Sequence, residues 1–128
     1  MEYTFTASGH PNISAAHLTT LEFTRDSSLT PNGDCIVAIN ADFDINKLKR
    51  FLKKKRVIIT ISTGVHKETV TAQPNPLFND EREMVIRKSG FVSSRTFATG
   101  ADKAAVDMQR GLIEKIKERD MKIMIRIE

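Results

Sequence analysis

The chain has a single cysteine, Cys35, among its 128 residues. That excludes an internal disulfide and any zinc site built from several thiolates, and it is compatible with a reducing cytoplasm. Long hydrophobic runs are also missing. The strongly apolar stretches reach about five residues, as in Val57–Ile61, whereas a membrane-spanning helix needs roughly 20. The opening MEYTFTASGH has neither the basic start nor the apolar centre of a secretory signal. Internal repeats and low-complexity tracts do not occur. There is no glycine-rich phosphate loop, no Gly-x-Gly-x-x-Gly fingerprint and no Gly-x-Ser-x-Gly elbow, so the commonest sequence signs of nucleotide binding and serine hydrolysis are absent. These features predict a soluble cytoplasmic protein with no membrane segment, folded as a single domain over residues 1–128.

Acids are missing from one long stretch. Between Ile45 and Lys67 stand eight Lys or Arg and no Asp or Glu. Seven of these cations, Lys47, Lys49, Arg50, Lys53, Lys54, Lys55 and Arg56, lie in KLKRFLKKKR, and the whole chain carries a net charge of +4. The cluster is a candidate polyanion surface. The plainer alternative is a solvated helix face, and Phe51 falls on the apolar side of that helix, where it cannot stack on bases.

Alternation of apolar and polar residues predicts strands at Tyr3–Ser8, Thr19–Thr24 and Met121–Glu128; Cys35–Ile39 reads as a largely buried strand and Arg56–Ser62 as one buried on both faces, with a partner at Lys67–Gln73 and further strands at Glu83–Lys88 and within Val92–Ala98. In the second, Leu21 and Phe23 should point inward and Thr20, Glu22 and Thr24 outward. The strands between residues 3 and 39 should pair antiparallel through turns, one at Pro31-Asn32-Gly33-Asp34. Pro74 and Pro76 should end the pairing of their strand. Asp44 is placed to cap a helix from Ile45 to about Lys54. A long helix should run from Ala101 to Arg119, with Ala104, Ala105, Met108, Leu112, Ile113 and Ile116 inward and Arg110 paired to Glu114. The fold class is then mainly β, or α+β: a sandwich or curled sheet of about eight short strands with two flanking helices.

Two segments concentrate chemistry-bearing side chains. SGHPNISAAHLTT (Ser8–Thr20) supplies His10, Asn12, His17, Thr19 and Thr20; MVIRKSGFVSSRT (Met84–Thr96) supplies Arg87, Lys88, Ser89, Ser93, Ser94, Arg95 and Thr96. Brought together, they would form a pocket of cations, imidazoles and hydroxyls suited to a phosphate. Arg87 and Lys88 are successive strand residues and should face opposite ways. The plainer roles are structural: ion pairing of the cations with acids such as Glu22 or Asp34, and hydrogen bonding of His10 and His17 within turns. The spacing of the two histidines is not a metal signature. Gly100-Ala101-Asp102-Lys103 should open the long helix, where free N–H groups and Lys103 would favour an anion. Cys35 reads as a small buried hydrophobe.

The blocks GHPNISAAHLTTLEFT, LTPNGDCIV, MVIRKSGFVSSRT and ADKAA occur in this order. In them the chain resembles a family of small, mostly archaeal proteins known as domain of unknown function 371, over nearly its whole length. The resemblance implies one compact β-rich domain, a jelly-roll-like sandwich with added helices, and it implies no activity. Leu18 departs from the pattern the resemblance implies, which has a basic residue between the histidine and the threonine pair; one cation is thereby missing beside the presumed site.

Three functions fit these residues. The first is binding of a phosphate-bearing ligand, either a nucleotide-like small molecule or RNA. The second is a small acid–base enzyme using His10 or His17 beside Arg95. The third is a protein-interaction or homodimeric subunit whose edge strand, for instance MKIMIRIE, pairs between chains. No cofactor is named by any motif.

Overall fold

The computed structural model describes residues 1–128. Eight strands form, in chain order, β1 (Tyr3–Ser8), β2 (Thr20–Thr24), β3 (Ile36–Ala38), β4 (Val57–Thr63), β5 (His66–Pro74), β6 (Glu83–Arg87), β7 (Thr96–Thr99) and β8 (Lys122–Ile127). Helix α1 spans Ile45–Lys49 and α2 Arg110–Ile116. The strands with clean alternation behave as their patterns predict. Phe5 and Ala7 of β1 and Ile123, Ile125 and Ile127 of β8 are buried, while Met124 of β8 is exposed. Gly64, at φ 58°, makes the tight turn from β4 to β5, a conformation that carries a steric cost for any residue with a Cβ.

All eight strands join one sheet in the order β1-β8-β4-β5-β7-β6-β2-β3. The sheet curls until its ends meet. Phe5 of β1 packs edge-on against Phe23 of β2, with ring centres 5.9 Å apart, and against Phe43 at 5.6 Å. Beyond β3, Ile39 closes an antiparallel bridge to Ser8 through bonds of 2.7 and 2.9 Å. The curl encloses one cluster of 31 buried residues, to which every strand and both helices contribute.

The structure corrects several expectations. The early strands do not form an antiparallel meander: β2 pairs parallel with β3 and antiparallel with β6, while β1 pairs with β8. A second parallel pair joins β6 and β7. The segment MKIMIRIE is not an edge, because β8 lies between β1 and β4. One expectation holds: β5 ends at Pro74, its pairing with β4 stopping at Ala72, while Gln73 and Pro74 align with Thr99 and Ala98 of β7 and the Asn75 N–H just beyond donates to Phe97 O at 2.8 Å. Thr20, Glu22 and Thr24 are buried rather than outward.

The long helix is broken. Ala105–Asp107 forms only a 3₁₀ turn, and Met108 and Gln109 are extended at ψ 142° and 130°. Side chains outcompete the helical ladder here. Asp107 accepts from Ala104 N–H, and Glu68 accepts from Gln109 N–H. Arg110 does not pair with Glu114; its guanidinium donates to the carbonyls of Ala15, Ala105, Val106 and Met108. The expected inward residues are nevertheless all buried. α1 is likewise shorter than its pattern. Asp44 caps it as anticipated, accepting from Asn46 N–H at 2.8 Å. Past Lys49 the bonds tighten to i→i−3, and Lys53–Arg56 offers no apolar residue to bury.

Candidate functional site

The two polar blocks meet. β2 lies antiparallel to β6 with Thr20 opposite Arg87, and Lys88 N–H donates to Thr19 O at 2.9 Å. Parallel pairing of β6 with β7 sets Thr96 beside Val85. One face of β2, β6 and β7 therefore gathers Glu22, Glu83, Arg87, Arg95 and Thr96, with Cys35 beside β2.

Arg87 is half-buried and its Nε donates to Thr96 Oγ1 at 3.0 Å. The same hydroxyl accepts from Ser93 N–H at 3.1 Å and lies 3.2 Å from Ser93 Oγ, so it is itself held in place. The guanidinium carbon sits 4.9 Å from the centre of the Phe91 ring. No carboxylate pairs with Arg87. Burial, and then the neighbouring Arg95 charge, hold its guanidinium below the ordinary arginine range. Arg95 is paired, but with Glu83 and not with the expected Glu22 or Asp34.

Glu22 is 5 % exposed, and burial pushes its carboxyl up to about 7, with the Glu83 charge adding to the effect and Arg95 opposing it. Its Oε1 lies 3.6 Å from Cys35 Sγ. Burial and the Glu22 charge push the Cys35 thiol up to about 12, so Cys35 is a protonated thiol at neutral pH and a poor nucleophile. It is half-buried and hydrogen-bonded, which corrects its reading as a plain core residue.

The remaining candidates have structural partners. His10 Nδ1 accepts from Asn12 N–H at 3.0 Å, and the Asn12 side chain donates to Leu29 O. His17 Nδ1 accepts from the N–H groups of Thr19 and Thr20, both at 3.1 Å. Neither imidazole hydrogen-bonds Arg95 or a carboxylate. Ser89 Oγ accepts from Phe91 N–H. Lys88 pairs with Asp107 at 2.8 Å on the face opposite Arg87. Gly100–Lys103 opens no helix: Asp102 accepts from Thr71 N–H, and Lys103 pairs with Glu68 at 2.7 Å. The first block thus meets the second through Thr19 and Thr20, its histidines and Asn12 being engaged in turns, and of the second block's cations Arg87 and Arg95 lie on this face while Lys88 does not.

Sequence reasoning misses Glu83 and Phe91, and it places Glu22 near the cations without seeing that it is buried. Alternation puts Glu22 on a solvent face, and nothing local signals that Phe91 stacks on Arg87. The largest hollow, about 570 Å³, lies elsewhere and is lined by Arg25, Asp42, Phe43, Asp44, Ile45, Asn46, Glu81 and Arg82. Arg25 there stacks on Phe43 and donates to backbone carbonyls, and Arg82 pairs with Asp26. Those groups serve the fold.

The Lys103–Glu68 pair carries a testable weight. Burial pushes the Glu68 carboxyl up, but hydrogen bonds from Lys103, Thr69 N–H and Gln109 N–H outweigh it and hold the group below the usual carboxylate range. Its stabilising contribution is present above pH ~4.5 and is lost as pH falls through the lower folded value. Lys103→Met should cost about 2–3 kcal/mol at pH 7, because a buried carboxylate keeps its charge and loses its cation. Urea denaturation reads the change, and a loss under about 1 kcal/mol would mean that the backbone donors alone suffice.

The family described as domain of unknown function (DUF371) matches residues 5–128. The chain belongs to this family. Among DUF371 relatives, an uncharacterized protein of Methanocaldococcus jannaschii is 37% identical over 125 residues, which cover 92% of this chain and 93% of that protein. The resemblance read from the four sequence blocks is therefore correct, and with it the mainly β fold. No helix of this DUF371 chain is long and apolar enough to cross a membrane.

Proposed function

We propose that this DUF371 protein binds a phosphate-bearing, nucleotide-like small molecule on the β2–β6–β7 face, with Arg87 as its principal anion ligand. The observation that carries this reading is a partly desolvated guanidinium with no carboxylate partner, aimed by Thr96 and backed by Phe91. Desolvating a cation without pairing it is unfavourable, and an incoming phosphate offsets that cost through the guanidinium fork. Arg95 adds a second positive charge, partly compensated by Glu83. Phe91 is 61% exposed, so its ring still offers area on which a planar base can stack, at about 1–3 kcal/mol by analogy with single-strand binders. Both histidines have Nδ1 engaged by backbone donors, and this favours binding over acid–base catalysis.

Thermal-shift and calorimetric titration with AMP, ADP, GDP and ribose 5-phosphate tests the reading. A ligand at 100 times its dissociation constant should stabilise the wild type by about 2.7 kcal/mol. Arg87→Met should weaken binding at least tenfold, the loss of one charge-assisted contact of about 1.5–3 kcal/mol. If no phosphate compound shifts the wild-type melting point, the reading is wrong.

A further inference from the structure

The cations of α1 and the turn after it are not absorbed by the site above. All seven between Lys47 and Arg56 are exposed, and none is in an ion pair. The contrast with Arg82, Lys88, Arg95, Lys103 and Arg126, each paired with a carboxylate, is sharp. No acid between residues 45 and 67 offsets this charge. Three of the cations, Lys49, Arg50 and Lys53, border one shallow hollow of about 440 Å³ together with Asn46 and Met1. Several are already steered: Lys49 Nζ donates to Asn79 Oδ1 at 2.7 Å, Lys47 lies over the Tyr3 ring and Lys54 over Phe51.

The chemistry of the patch selects its partner. A helix that lies on a lipid surface inserts its apolar face, but here Leu48 and Phe51 are buried in the core at 0% and 1% exposure. A protein interface is anchored by a cluster of exposed aromatic or large apolar residues; residues 45–56 have none, and Met1 on the rim of the hollow stands alone. What remains is uncompensated charge around a hollow, the arrangement that suits a phosphate chain. With no exposed aromatic to stack on bases, recognition would run through the backbone and not through sequence.

We propose that the α1 face docks the phosphodiester backbone of nucleic acid without sequence specificity, anchored at the hollow between Lys49, Arg50 and Lys53. This surface acts independently of the Arg87 face.

Fluorescence anisotropy with labelled 20-nucleotide oligo(U) RNA and oligo(dT) DNA, from 50 to 300 mM KCl, tests it, with phosphatidylserine vesicles run in parallel. If five to seven cations engage a single strand, log K should fall against log [KCl] with a slope of roughly −3.5 to −5. The triple variant Lys49→Gln, Arg50→Gln, Lys53→Gln should bind at least tenfold more weakly and lower the magnitude of the slope by about 2. Lys115→Gln, remote in the sequence, should bind as wild type, and circular dichroism with a melting curve checks that each variant is folded. RNA and DNA binding alike, or RNA alone, supports the proposal. Absence of oligonucleotide binding at 50 mM KCl, a triple variant equal to wild type, or binding to vesicles only would overturn it.

Discussion

Gly9→Ala should lower the melting temperature by roughly 10 °C, the largest effect expected of any single methyl group in this chain. An added Cβ would stand 2.2 Å from the carbonyl oxygen of Ile116 and 2.6 Å from that of Glu118. Both are backbone atoms at the end of α2, fixed by further bonds: His10 N–H donates to Ile116 O at 3.0 Å, and Gly9 N–H to Met121 O at 2.8 Å. A flexible side chain would swing aside, but here the whole turn must move away from β1. Overpacking of this kind costs on the order of 3 kcal/mol, and each kcal/mol is worth about 3–5 °C in a domain of this size. Gly90→Ala is the control, since nothing lies within 4 Å of its added Cβ, and its effect should stay within about 0.5 kcal/mol. A Gly9→Ala protein melting within about 2 °C of wild type would show that the turn after α2 has slack.

Glu22→Gln should make the protein more stable at pH 8 and leave it nearly unchanged at pH 5. The carboxyl has an ordinary value near 4.5 and is pushed up to about 7 by burial first and by Glu83 second. Between these values the folded state keeps a proton that the unfolded chain has released. Stability therefore falls as pH rises from about 4.5 to about 7 and is level above that, a total loss of roughly 3 kcal/mol from this group. Glutamine has nearly the same shape, and its amide oxygen can still accept from Cys35, but it carries no charge to desolvate. The variant should gain about 2 kcal/mol over wild type at pH 8, read by urea denaturation at both pH values. The same change removes a counter-charge from beside Arg87 and Arg95, so any phosphate ligand should bind the variant more tightly at pH 8. An equal stability difference at pH 5 and pH 8 would mean that Glu22 does not titrate between them.

Glu22 also marks where the sequence stops being legible. The period-2 pattern identifies β1 and β8, because each declares its buried face locally; β4 is legible as an apolar run buried on both faces, and Gly64 marks its turn into β5. The pattern fails for β2, whose five residues are all buried. Its polar side is covered by side chains from β6, β7 and Cys35, and a run of alternating residues has no sign of what will lie over it. Strand partners are equally non-local. The parallel pairs β2–β3 and β6–β7 have no marker in the segments themselves. Helix spacing correctly assigns Ala105, Met108 and Leu112 to the core, yet the helix breaks between them, because Glu68 arrives from another strand to take the N–H of Gln109. Of the candidate site, Arg87, Arg95 and Thr96 are visible as an unusual concentration of donors. Which cations are paired and which one is free depends on Glu83, Asp107 and Glu68, and their approach is a property of the fold.

The pairing of β1 with β8 also sets an order in time. Phe5 is aligned with Ile125 and Tyr3 with Ile127, so of these eight strands the first to be made has its ladder partner in the last. From the making of β1 until that of β8, the polar edge of residues 3–8 lacks the neighbour that will cover it, and β4 lacks the strand that will lie between it and β1. Closing so long a loop is entropically costly before any contact rewards it. Without residues 122–127 the curl stays open at one seam, with β1 held on its other side by the Ser8–Ile39 bridge, and the core is enclosed only once β8 fills the gap between β1 and β4.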